Sequence, residues 1–333
     1  MGGERMSTVP PAGRSPSLEL NRRAARIADA MAADADLLGI GVSSLDGHTR
    51  LLDCGIAAPG GLEAGRRMAA ACLGGAGKVE LLPWSLEDVS LPGVAVWSDR
   101  PAIACLGSQY AGWAVKPEGY FAMGSGPLRA IARVETELYQ KLGYAEAADG
   151  PGVLVLETRN PPDAAVATWL AQKSGVDAER LTLLYAPTAS AAGSVQIAAR
   201  VLETALHKLL HLDFDVSNVL SGFGSAPVPP VAKDDLRAIG RTNDCVLYGG
   251  SVHLTVRGDD DRLSELAERL PSSSSGDYGT PFYDVFQRYE GDFYKVDPAL
   301  FSPAEVMLTN ASSGRSFRAG SRNADVLRRS LIG

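Results

Sequence analysis

Apolar residues three and four apart, with Ile27 and Met31 as the plainest pair, predict a helix running from a cap at Asn21 to about residue 33. The period then changes. Residues 39–45 and 49–56 read as two strand arms joined at Asp46-Gly47, a dipeptide that accepts positive φ, and so predict a β-hairpin. A helix over 62–73 should stop at Gly74-Gly75, and short apolar runs at 79–82, 94–97 and 103–106 read as strands. After Met123, Gly124-Ser125-Gly126-Pro127 has the form of a helix start, with Ser125 or Gly126 as cap and Pro127 in the first turn; that helix should end at Gly143.

From there the pattern alternates: a strand over 153–156, a Pro-initiated helix over 161–174, a strand over 181–185, then a small-residue turn feeding a long helix to about residue 210. Such alternation favours parallel strands with helices packed on their faces and places ligands where strands feed helices. The last third reads as a polar helix over 233–239, a strand over 246–256, a serine-rich loop over 271–276, and a hairpin over 305–309 and 316–318 before a terminal helix. The expected fold class is therefore mixed α/β, as two α/β domains with a large cleft between them. Residues 18–123 plus 292–333 form the first, 124–291 the second, and 1–17 a disordered tail. Two stretches, 51–73 and 181–210, share the order strand, small-residue turn, Ala-rich helix with arginine, which raises an internal duplication.

Composition narrows the partners. The 333 residues are 45% hydrophobic and 21% charged, with 39 acidic against 32 basic side chains and a formal net charge of -7. That balance offers no basic field for nucleic acid. No apolar run is long enough for a signal peptide or a membrane span, so a cytoplasmic location is expected. Cys54, Cys72, Cys105 and Cys245 show no metal-ligand spacing and read as buried thiols in a reducing compartment. His207 and His211 are i, i+4, but HKLLH lacks the glutamate of a zincin and an obvious third ligand, so no metal is expected.

The candidate chemistry lies in the segment from Ser190 to Glu203. Arg200 and Glu203 are i, i+3, so on a helix they share a face, and a permanent cation beside a carboxylate favours the ionised form against burial. The same spacing is also that of an ordinary exposed helix pair. The surroundings add weight: small residues let a ligand approach the backbone, and Thr188, Ser190, Ser194 and Gln196 offer donors near a helix N-terminus. Close helix-sheet packing explains those small residues equally well. Gly124 to Pro127 lacks a Walker lysine-hydroxyl pair, which disfavours a nucleotide binder.

The segments SQYAGW (108–113), GSGP (124–127), APTAS (186–190), GSVQIAARVLETA (193–205), TND (242–244), DYG-x-PF (277–282) and DFYKVDPALFSPAEV (292–306) together resemble the methenyltetrahydromethanopterin cyclohydrolase family. They stand in the family's order, and the likeness runs from about residue 20 to 332. The resemblance implies hydrolysis of a methenyl bridge between two nitrogens of a pterin one-carbon carrier, without metal or redox cofactor, by a homotrimer of α/β subunits. It implies Glu203 as the base and Arg200 as its companion. The softer candidates for substrate contact are Lys116, Ser125 and Gly126 at the helix opening, and Asp277, Tyr278 and Tyr294 along the pterin. Gly276 stands where the family commonly has a basic residue, which leaves that contact open. The alternative is a catalytically inert pterin-binding subunit, which would have no need of the Glu203 base.

Overall fold

The computed structural model describes residues 18–45, 48–292 and 295–332; the expected tail over 1–17, the Asp46-Gly47 turn and Tyr294 lie outside them. In chain order the strands are β1 (Gly41–Leu45), β2 (Thr49–Asp53), β3 (Lys78–Leu86), β4 (Val89–Ser98), β5 (Trp113–Val115), β6 (Ala122–Ser125), β7 (Gly152–Glu157), β8 (Leu181–Ala186), β9 (Val219–Pro227), β10 (Ser251–Val256), β11 (Glu305–Asn310) and β12 (Ser316–Gly320). The α-helices are α1 (Leu20–Ala33), α2 (Ala35–Leu38), α3 (Leu62–Cys72), α4 (Leu128–Ala132), α5 (Thr136–Leu142), α6 (Ala164–Ser174), α7 (Ala191–Ala198), α8 (Val201–His211), α9 (Asp235–Gly249), α10 (Asp260–Arg269), α11 (Phe282–Arg288) and α12 (Ala324–Leu331).

The fold is mixed α/β, built on two six-stranded mixed sheets, in the orders β1-β2-β8-β7-β6-β5 and β12-β11-β10-β9-β4-β3. In the first, β2, β8 and β7 run parallel and the flanking pairs are antiparallel. Its central strands are unbroken apolar runs because helices cover both faces. Leu52, Val153, Val155 and Leu184 point to α1 and α3, while Leu51, Leu154, Leu156 and Leu183 point to α4 and α6. In the second sheet, Val94, Val96, Val252, Leu254 and Val306 pack on Leu202, Leu206 and Leu209 of α8 and on Leu263 and Leu266 of α10.

Helices α3 and α7 form the layer between the sheets. Ala64, Met68 and Ala192 belong to the core of the first sheet, whereas Ala69, Leu73, Val195 and Ala198 belong to that of the second. The two helices touch at Gly65, where a Cβ would lie 2.7 Å from the Ala192 carbonyl oxygen. The two stretches with the shared strand-turn-helix order are thus direct neighbours, Leu51 lying in register with Leu183. Each sheet takes strands from both segments divided at residues 123 and 291.

Several expectations change. Residues 103–106 are not a strand: Ala102–Gln109 is a π-helix, closed by the i, i+5 bond from the Tyr110 amide to the Cys105 carbonyl at 2.7 Å. Asn21 does not cap α1; Leu20 begins the helix, and the buried Asn21 donates to the Pro127 carbonyl and accepts from the Val153 amide. The helix expected to run to Gly143 is broken at Arg133, whose φ is 50°, into α4 and α5. Ser125 and Gly126 cap nothing there: Ser125 ends β6 and Pro127 immediately precedes α4. Residues 246–249 belong to α9, so the following strand starts at Ser251.

Candidate active site

The segment 190–211 is not one helix. Ser190 caps α7, its Oγ accepting from the Gly193 amide at 3.0 Å, and α7 ends at Ala198. Arg200, at φ -81° and ψ 0°, stands at the step before α8, with Glu203 in the first turn beyond it. The pair stands across the start of α8 rather than within one continuous helix, near enough for the Arg200 guanidinium to act on the Glu203 carboxyl, and no ion pair within 4 Å joins them. The break has a donor behind it: Gln109, the last residue of the π-helix, gives its Nε2 to the Ala199 carbonyl at 3.0 Å. That carbonyl would otherwise lose its partner where the helix turns.

Glu203 is 4% exposed, and its carboxyl makes no hydrogen bond with the described residues. Burial drives its pKa up from the ordinary 4.5 to about 7, against the pull of the Arg200 and, more weakly, the Arg129 guanidinium. Desolvation outweighs the two cations, so the group is not held fully ionised as the sequence suggested; it is poised near neutrality. Arg200 makes no hydrogen bond with the described residues, and its Nε is buried without a partner. A buried guanidinium nitrogen without a partner beside a carboxyl that makes no hydrogen bond with the described residues marks a place where a ligand or water completes the bonding.

Around this pair the structure gathers part of the expected set. Gln196, 3% exposed, donates to the Cys72 thiol at 3.4 Å. Burial raises the pKa of that thiol, while the nearby Arg200 lowers it. Ser125 donates to the Gln109 carbonyl, so it braces the π-helix. Gly126, at φ 119°, donates its amide to the Ser108 carbonyl at 2.8 Å. Thr188 donates to Glu157 at the end of β7, and the buried Ser194 lies in the first turn of α7. Lys116 is exposed at the end of β5.

Asp277 accepts from Tyr289, Arg288 and the Asp297 amide, and Tyr278 packs on Tyr248 with ring centroids 5.1 Å apart. Tyr294 lies outside the described residues. His207 stacks on Tyr110 at 4.7 Å and meets His211 at 4.4 Å, and burial lowers its pKa to about 4. No group of three His, Cys, Asp or Glu side chains suited to a metal forms among the described residues.

Sequence reasoning missed four members of this neighbourhood: Gln109, Arg129, Glu157 and Cys72. Arg129 had a signal, a lone arginine in the apolar run LRAIA; Gln109 and Glu157 had none beyond their place at the end of an apolar run. Two surface depressions, one lined by His48, Gln172 and Glu179 and the other by Leu236, Phe286 and Glu290, touch neither Glu203 nor Arg200. No helix among the described residues is long and apolar enough to cross a membrane, and all four cysteines are free and buried.

Known proteins resemble the chain over nearly its whole length. Residues 19–331 match the family model described as Cyclohydrolase (MCH). A methenyltetrahydromethanopterin cyclohydrolase of Xanthobacter autotrophicus is 48% identical over 323 residues, covering 97% of this chain and 95% of its own. One of Methylobacterium organophilum is 47% identical over 90% of this chain and 94% of its own. The similarity extends to Methanocaldococcus jannaschii, whose methenyltetrahydromethanopterin cyclohydrolase is 42% identical over 94% of this chain and 98% of its own.

Proposed function

The chain belongs to the methenyltetrahydromethanopterin cyclohydrolase family, and from that premise we propose how its own residues do the work. It is a hydrolase that opens the 5,10-methenyl bridge of tetrahydromethanopterin or its dephospho form to the N5-formyl compound, reversibly, in one-carbon metabolism. The observation that carries the site assignment is the buried carboxyl of Glu203, without a hydrogen bond to the described residues, beside Arg200, whose Nε is buried without a partner.

The substrate's bridge is an amidinium-like cation, so its carbon is already electrophilic and needs an oriented water and a base. The reaction consumes one water and releases one proton. Water oxygen bonds to the bridge carbon as Glu203 takes one of its protons, which leaves a neutral hydroxylated bridge. The bond from carbon to N10 then breaks as Glu203 returns that proton to N10, and the hydroxyl proton leaves to solvent as the formyl C=O forms on N5. A carboxyl poised near pH 7 can act in both directions at small cost, whereas one at 4.5 would be a poor acid. Arg200 draws the carboxyl toward its ionised form. A bound cation adds to that pull, so Glu203 becomes a better base once substrate arrives.

No resident metal or redox cofactor has a part in this reading. Thr188, Ser190, Ser194 and Gln196 are proposed to line the approach, with Lys116, Ser125 and Gly126 at the helix opening. Asp277, Tyr278 and Tyr294 are proposed as further contacts to the pterin. A cytoplasmic location is in keeping with the free thiols. For the homotrimer, Trp97, Phe223, His253 and Met307 form a cross-strand row on the face of the second sheet opposite α8, with Trp97 37% and Phe223 44% exposed. Light scattering tests it through a mass of three chains. The activity is tested by mixing the protein with the methenyl substrate. Loss of its absorbance over many turnovers is expected; bleaching that halts at one equivalent would instead make the chain a binding subunit.

A further inference from the structure

A second arginine, joined to the helix of Glu203 through Tyr110 and His207, has no place in the mechanism above. Arg129, in α4, is fully buried. Its Nη1 donates to the Leu106 and Ser108 carbonyls at 3.2 Å each, and its Nη2 pairs with Glu135 at 2.6 Å. The carbonyls are among the last four of the π-helix, which have no donor within it. The guanidinium lies 5.0 Å from the centre of the Tyr110 ring, Tyr110 stacks on His207, and His207 is one turn along α8 from Glu203. Gly112 keeps Glu135 in place: a Cβ there would lie 1.8 Å from the Glu135 Oε1. The pair's remaining polar atoms, Arg129 Nε and Glu135 Oε1, are buried without partners.

We propose that Arg129 is a positioning residue for the reaction, a second fixed cation that Glu135 and the π-helix carbonyls hold against the Tyr110–His207 stack on the helix of Glu203. The inference rests on Glu203 being the base. A buried ion pair adds little net stability over an apolar pair of the same shape, so the stability of the fold alone gives no reason to keep Arg129 and Glu135 together here. Here the cation acts on Glu203 in the same sense as Arg200. Arg200 apart, the other titratable groups nearby bring no positive charge to the carboxylate that could replace it. Cys105 of the π-helix and Cys72 of α3 are buried thiols with raised pKa, and His207 is neutral near pH 7. Tyr139 of α5 donates its hydroxyl to the Gly107 carbonyl, and Lys208 of α8 turns away to the carbonyls of Pro271 and Ala299.

The test is the acid limb of kcat/KM against pH in two variants. Glu135→Gln leaves the cation without a counter-charge and is expected to move the limb down by about half a pH unit. The double variant Arg129→Met/Glu135→Gln removes both charges and should move it up by about half to one unit, with the fold kept. Shifts of opposite sign are what a field effect produces and a packing role does not. A limb that stays in place in both, or moves the same way in both, overturns the proposal. Should one variant fail to fold, an unmoved limb in the other has the same force. Full turnover in Glu203→Gln would instead remove the base assignment, a result read independently of either limb.

Discussion

Gln109 and Ala199 are ninety positions apart in sequence and are joined by one hydrogen bond, 3.0 Å from Nε2 to the carbonyl oxygen. The bond falls at the step between α7 and α8, and Arg200 is the residue that step presents. Gln109→Leu is therefore expected to leave the Ala199 carbonyl unpaired at a cost of about 1–3 kcal/mol. It should also lower kcat more than it raises KM, because Arg200 loses its fixed place beside Glu203. Steady-state kinetics together with a urea titration check both; a loss of stability with unchanged kcat would make the bond purely structural.

Replacing Glu203 with Gln keeps the shape and removes the base. Turnover should fall roughly 100-fold to 10,000-fold. Binding of the cationic substrate should weaken as well, since the variant cannot offer a negative charge. Single-turnover absorbance measurements separate the two effects.

The same substitution should stabilise the fold, with a definite pH dependence. Burial raises the Glu203 carboxyl from 4.5 to about 7, so the native protein holds this proton more tightly than the unfolded chain does. The sign follows: the native state has its advantage below pH 4.5, loses it as the pH rises through about 7, and is short of it by up to about 3 kcal/mol above. Glu203→Gln cannot ionise and avoids that loss. Denaturation midpoints of variant and wild type should diverge between pH 5 and pH 8, with the variant the more stable at the higher value.

In wild-type enzyme, kcat/KM should decline below about pH 7 with a slope of one proton, as the free protein's base becomes protonated. A flat profile from pH 5 to pH 8 would contradict the assignment.

Gly193→Ala should damage the site through its backbone. The new Cβ would stand 2.1 Å from the Pro187 carbonyl oxygen, inside the turn that Ser190 caps. A loss above about 3 kcal/mol is expected, against near-neutrality for Gly276→Ala, where nothing lies within 4 Å. Thermal melts of the two variants make the comparison.

The alternation over 152–211 and both hairpin strand pairs were legible because their periods are regular and their turns carry Gly, Asp or Pro. The breaks were not. Residues 103–106 are short and apolar, a pattern that suits a strand or a buried helix alike, and what makes them a π-helix is a set of distant donors, Arg129, Tyr139, Ser125 and Gly126. The helix was expected to run through Ala199 because AARVLETA has good helix propensity; a side chain from another element interrupts it. For the site, the chain itself offered Arg200, Glu203 and the small residues before them, while the balance of burial against charge at Glu203 depends on α4 and the π-helix and cannot be read from spacing.

Neither sheet can be completed early in synthesis. The second pairs β3 and β4, made within the first hundred residues, with β9 through β12, made from residue 219 onward, and the first joins β2 to β8 across more than a hundred positions. A nascent chain therefore emerges with apolar strand edges waiting for partners not yet translated, and closure must come late and slowly. During that interval chaperone binding is the expected safeguard, and a ribosome-bound chain stopped at residue 300 should remain protease-sensitive throughout the second sheet.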